Sequence, residues 1–193
     1  MKKRWIGLVI ILIVAILILN PKSFSTKLLA KILGEYEDPE FVSDQKVLDY
    51  LGANNVYYDQ VYRFKDMNHM EKFSQAGLLQ VPLIYIYDKN KNLLVMAESE
   101  KCVWALSTFF IHGESLVPKQ DSSMFELLRE NTESISINTD SSEIEYYIIT
   151  GWAMFVPKKS KMIFDRIREF QDTRKNIYYI NLNMDFRNES KTN

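Results

Sequence analysis

The chain has 193 residues but only one cysteine, two histidines, six glycines and five prolines. A lone Cys102 excludes an intrachain disulfide, a CxxC redox pair and a multi-cysteine zinc centre. His69 and His112 are far apart in sequence and neither has a partner at ligand spacing, so no metal or other cofactor is expected. No glycine-rich phosphate loop, GxSxG elbow or HExxH helix is present. Neither sign of charge dominates: 24 Lys and Arg stand against 25 Asp and Glu, so nucleic acid is not an expected partner. With 47% hydrophobic residues the chain is not a disordered one, and its length suits one ordinary domain with an appendage.

The charges that are present are unevenly placed. Lys2, Lys3 and Arg4 directly precede residues 5–19 (WIGLVIILIVAILIL), 15 residues without a charge, and from Trp5 onward the net charge is −4. A basic cluster followed by an apolar run is the pattern of a signal anchor or a signal peptide. As a helix the run spans about 22 Å, short against a hydrocarbon core of about 30 Å. Being apolar on every face, it does not read as a buried core helix. We read it as an uncleaved transmembrane anchor that presents Trp5, Ile6, Leu8, Ile10, Leu12, Val14, Ile16 and Leu19 to lipid; the alternative is a cleaved signal peptide and a secreted domain. Either way the cations stay in the cytoplasm and the rest lies outside it. Residues 25–33 (STKLLAKIL) form a short helix with Leu28, Leu29 and Ile32 on one face, and 34–40 (GEYEDPE) an acidic linker.

Beyond the linker, Ser43 caps a helix to about Leu51 that Gly52 stops. Residues 55–59 (NVYYD) read as a strand. Asp66 caps a second helix with Met70 and Phe73 inward and Gly77 as its stop. The continuous apolar run 81–87 (VPLIYIY) fits a strand covered on both faces, and with 93–97 (LLVMA) it makes a hairpin across a polar turn. A helix over 100–111 follows. Ser123-x-x-Glu126 opens a short helix as a capping box, and 134–138 (SISIN) reads as an edge strand. Residues 145–153 (EYYIITGWA) read as a buried strand, Pro157 as the first turn of a helix to about Thr173, and 176–184 (NIYYINLNM) as a further strand.

The stretch 146–164 (YYIITGWAMFVPKKSKMIF) followed by 176–185 (NIYYINLNMD) resembles the first half of a thioredoxin-like domain, in which a strand ends in W-A-x-x-C-x-x-C and the strand after the helix ends near N-x-D. Trp152-Ala153 and Asn183-Met184-Asp185 match, but the cysteine positions fall on Val156 and Lys159, and the buried acidic position on Thr150. Residues 55–111 resemble the second half, where a helix leads into Val81-Pro82, a hairpin and a terminal helix. The resemblance implies that Pro82 is cis and faces the loop at Val156. The halves stand in reversed order: packed together they make a circularly permuted domain with residues 81–87 and 145–151 in one sheet, and packed apart each is an incomplete α/β unit.

The fold class expected is therefore α/β, a thioredoxin-like mixed sheet flanked by helices in permuted order, after one N-terminal transmembrane helix. The organisation is 1–20 basic cluster and anchor, 21–42 juxtamembrane helix and linker, 43–113 hairpin half, 114–139 connector, and 140–193 strand–helix–strand half. The expected function is a non-catalytic binding module, anchored to a bacterial envelope membrane, for protein or peptide partners. Its contact residues would be Val81, Pro82, Trp152, Val156, Pro157, Lys158 and Lys159. Lys158, Lys159 and Lys161 at a helix start also suit an anionic lipid headgroup, against the plainer reading of a solvated helix turn. Two rivals stand beside this reading. One is a one-cysteine redox enzyme using Cys102, next to Lys101 in a first helical turn, although Cys102 shares an apolar face with Leu106 and Phe109 and reads more simply as a buried cysteine. The other is an accessory subunit of a membrane complex.

Overall fold

Runs rich in β-branched and aromatic residues supply the strands, and helices with apolar stripes cover both faces of the sheet they build. The computed structural model describes residues 36–138, 143–170 and 176–187. The anchor at 5–19, the helix at 25–33 and the end of the helix expected to reach Thr173 lie outside the described residues. Among the described residues no helix is long and apolar enough to cross a membrane.

In chain order the elements are β1 (Phe41–Val42), α1 (Asp44–Ala53), β2 (Gln60–Phe64), α2 (Met67–Gln75), β3 (Leu83–Asp88), β4 (Leu93–Glu98), α3 (Lys101–His112), α4 (Ser123–Asn131), β5 (Thr132–Ile137), β6 (Tyr146–Trp152), α5 (Pro157–Phe170), β7 (Ile177–Asn183) and β8 (Phe186–Arg187). Six strands form one mixed sheet in the order β4-β3-β6-β7-β2-β5, and β1 pairs with β8 in a separate parallel pair. Strands β6, β7 and β2 run parallel to one another, while β3, β4 and β5 join antiparallel. The runs at 81–87 and 145–151 are thus neighbours in one sheet, with Leu83 opposite Gly151 and Tyr87 opposite Tyr147.

Strand alternation sorts the core into two layers. Leu83, Tyr85, Ile149, Ile180 and Leu182 face α2 and α4, where they meet Met70, Phe73, Met124 and Leu128. Ile84, Ile86, Ile148 and Tyr179 face the other way, onto Leu106 and Phe109 of α3 and Ile163 and Ile167 of α5. On that same side α1 packs Val47 and Leu51 with Val61, Trp152 and Phe164. Strands covered on both faces read as unbroken apolar runs, which is why β3, β6 and β7 stand out in the sequence.

Several expectations need correction. The strand lies at Gln60–Phe64, not at 55–59. Arg63 sits in its middle and hides the pattern, yet this guanidinium is fully buried. It donates to the Val42 carbonyl at 3.0 Å, to Asp44 at 2.8 Å and to the Phe186 carbonyl at 3.3 Å, so it ties the β1–β8 pair to the sheet. Helix α1 keeps its Ser43 cap, which accepts from the Lys46 N–H at 3.2 Å, but runs through Gly52 to Ala53. At α4 the expected capping box does not form. Ser122 is the residue before the helix, and Asp121 accepts the Ser123 N–H at 3.0 Å. Within 114–138, α4 covers one face of the sheet and β5 is its edge strand. Asp66 and Gly77 bound α2 as expected, Asp66 accepting from the His69 N–H and Gly77 adopting φ +75° just past the helix end.

Candidate functional site

Antiparallel pairing of β3 with β6 brings the start of one strand to the end of the other. The last pair, Leu83 opposite Gly151, directly follows Pro82 on one strand and directly precedes Trp152 on the other. The two segments singled out from sequence, 81–82 and 152–159, therefore share one pole of the sheet. The Val81–Pro82 peptide bond is cis. Close approach here requires glycine at 151: a Cβ would lie 2.5 Å from Leu83 Cγ and 2.6 Å from Met184 Cε.

The loop between β6 and α5 is fixed from beneath. Ser160 is buried in the first turns of α5; its hydroxyl donates to the Ala153 carbonyl at 2.8 Å and accepts the Ala153 N–H at 3.3 Å. The Met154 N–H donates to both carboxylate oxygens of Asp185, at 3.0 and 2.9 Å, and the Asn183 amide donates to the same carboxylate at 2.6 Å. Burial raises the Asp185 carboxyl above its ordinary value, opposed by the Met154 and Asn183 hydrogen bonds and by the Arg63 cation. Pro157 opens α5 at the position where its missing N–H costs nothing.

The residues brought to this pole differ in what they offer. Val81, Val156, Pro157 and Lys159 are half-buried and Lys158 is exposed. Lys161, one turn on, is held by Asp165 at 2.8 Å. Pro82 is buried, and its carbonyl accepts the Ser99 N–H at 2.7 Å. Trp152 corrects the expectation of a partner contact. It is wholly enclosed, stacked on Tyr50 of α1 at 5.3 Å and edge-on to Phe164 of α5 at 5.3 Å. Strand alternation explains this, since Gly151 faces Leu83 and the next residue must face α1 and α5.

Cys102 is also enclosed. Its thiol lies 3.4 Å from the Pro82 and Ala97 carbonyls, and burial, with the negative charge of Glu98 adding to it, pushes its pKa up to about 12. A reactive thiol needs accessibility and a depressed pKa, and here both are reversed. The redox rival loses its physical basis.

Sequence reasoning missed one participant. Residues 36–40, read as a linker, lie across the β6–α5 loop. The Glu37 N–H donates to the Phe155 carbonyl at 2.8 Å, and the Tyr36 ring meets the Phe155 ring edge-on at 6.0 Å. A cavity of about 270 Å³ remains between this strap and the loop, bordered by Glu37, Asp38, Tyr50, Phe155 and Asp185. The available signal was the acidity of GEYEDPE beside the basic PKKSK. A larger concavity of about 780 Å³ lies elsewhere, between α4 and the sheet, with Tyr62, Tyr147, Tyr178 and Phe125 lining it and Lys91 and Arg129 beside them. Burial raises the Tyr62 and Tyr178 phenols. No group of metal-ligating side chains occurs among the described residues.

Comparison with known proteins yields no match to a protein-family model, a curated protein or a solved structure.

Proposed function

We propose that this chain is a non-catalytic binding module, a thioredoxin-like domain in permuted order, held to an envelope membrane by residues 5–19. It takes extended protein or peptide segments at the pole formed by Val81 and residues 156–159. The observation that carries this reading is the β3–β6 register, Leu83 opposite Gly151. It brings together two segments, far apart in sequence, that resemble the two sides of one binding edge. The strand order β7-β6-β3-β4, with α3 and α5 side by side on one face, fits the same reading. Recognition by an added extended segment needs backbone groups and side-chain seats, not thiols. The half-buried Val81 and Val156 supply apolar seats. The lysines and the first N–H groups of α5 favour negative charge.

The test is selection of binders from a random peptide display library on the full-length chain in detergent micelles. Binding of the selected peptides is expected to fall at least tenfold on Val156→Asp and on Val81→Asp, with near-ultraviolet dichroism of the enclosed Trp152 confirming the fold. Peptides that bind both variants as tightly as the wild type would place recognition elsewhere and overturn the proposal.

A further inference from the structure

The strap over the β6–α5 loop says what kind of segment this pole takes. The loop's hydrogen bonds are mostly committed to its own turn: the Val156 N–H donates to the Ala153 carbonyl at 3.4 Å, and the Val156 carbonyl accepts the Ser160 N–H at 3.0 Å. The Phe155 carbonyl lies outside this pattern, and its partner is the N–H of Glu37 at 2.8 Å, from a stretch that belongs to no strand. One residue earlier the Tyr36 ring rests edge-on against Phe155. An added extended segment is held by main-chain hydrogen bonds and side-chain seats, and Glu37 and Tyr36 make contacts of these two kinds with Phe155. Charge follows the same division. The strap brings Glu37, Asp38 and Glu40 to a pole that carries Lys46, Lys158 and Lys159, and Lys46 reaches Glu40 at 3.1 Å.

We propose that residues 36–40 are an internal occupant of the pole, and that the partner is an extended acidic segment bearing an aromatic side chain, which displaces them to bind. This inference rests on the partner-binding reading above. The Glu37–Phe155 hydrogen bond and the Tyr36–Phe155 ring contact are among the strap's ties to the loop, and a cavity of about 270 Å³ borders it. The adjoining residues Phe41 and Val42 are paired with β8 and hold the strap's far end in place when its near end lifts. An occupant of this kind lowers the apparent affinity for a partner by the fraction of time the pole is covered.

The experiment uses the full-length chain in detergent micelles and a fluorescent peptide with the sequence of residues 34–42, read by anisotropy. Tyr36→Ala with Glu37→Pro removes the ring contact and the N–H donor. This double variant is expected to bind the peptide at least tenfold more tightly than wild type, and Val156→Asp in the same background is expected to abolish binding. Undetectable binding to the double variant overturns the inference. So does a double variant that binds no more tightly than wild type while Val156→Asp still abolishes binding, an outcome that leaves the partner-binding reading intact. Binding that ignores Val156→Asp overturns both.

Discussion

Pro82 and Phe155 stand at the same pole of the sheet, and their carbonyls meet different kinds of partner. The Pro82 carbonyl accepts the Ser99 N–H at 2.7 Å and has the Cys102 thiol at 3.4 Å, both from the strand end and helix that close over it. The Phe155 carbonyl accepts a single N–H from residue 37, outside the sheet. One side is sealed by groups that also form the core, so opening it means exposing Cys102, Leu106 and Ile84. The other is covered by residues 36–40, which belong to no helix or strand. Segments that move on binding are drawn from the less buried parts of a fold, and of these two sides the strap is the less buried.

Breaking the sealed side should have the largest effect. Trp152→Ala removes the ring that joins α1 to α5 and is expected to cost about 3–5 kcal/mol, read as the shift in denaturant midpoint. A loss below about 1 kcal/mol would mean that this side is not the rigid one. Next comes the thiol. With its pKa near 12, native Cys102 should carry on the order of a thousandfold less thiolate than an ordinary cysteine at neutral pH. Enclosure slows attack further. A thiol reagent should therefore label the native chain only as fast as it unfolds, while denaturant restores ordinary rates; rapid native labelling would return Cys102 to the list of reactive groups.

The carboxylate beneath the loop gives a smaller, pH-dependent effect. Burial raises Asp185 above its unfolded value. A carboxyl of that kind contributes stability below its unfolded pKa and loses it as pH rises through the native one. Asp185→Asn no longer titrates. Its stability relative to wild type should therefore improve as pH is raised from below the ordinary carboxylate range to neutrality. A difference that stays constant with pH, or moves against the variant, would show that the Met154 and Asn183 hydrogen bonds outweigh burial. Loosening the strap should matter least: Tyr36→Ala is expected to stay within about 0.5 kcal/mol of wild type by thermal unfolding. A cost as large as that of Trp152→Ala would make the strap part of the core and erase the contrast.

Legibility in the sequence followed the same contrast. The enclosed strands β3, β6 and β7 announce themselves as apolar runs because both faces are covered. Strand β2 does not, because the charged Arg63 in its middle is buried by long-range partners, the Val42 and Phe186 carbonyls and Asp44, that no local pattern reveals. The pairing of β1 with β8 is two residues long and equally silent. At the candidate site, Val81, Pro82 and Val156 could be placed from their motifs, but Trp152 was read as a contact when strand alternation turns it inward. The strap was read as a linker because an acidic, proline-containing stretch looks the same whether it is solvated or laid across a basic helix start. The Glu37–Phe155 hydrogen bond and the Tyr36–Phe155 ring contact tell the two apart.

The most direct test of the account is amide hydrogen exchange at Glu37 in the full-length chain, measured alone and with the peptide of residues 34–42 at saturation. Protection of the Glu37 amide is expected in the free chain and should be lost in the complex, while the amides of β3 and β6 stay protected in both. A saturated complex in which Glu37 keeps its protection would contradict the account, because the partner would then be bound without displacing the strap.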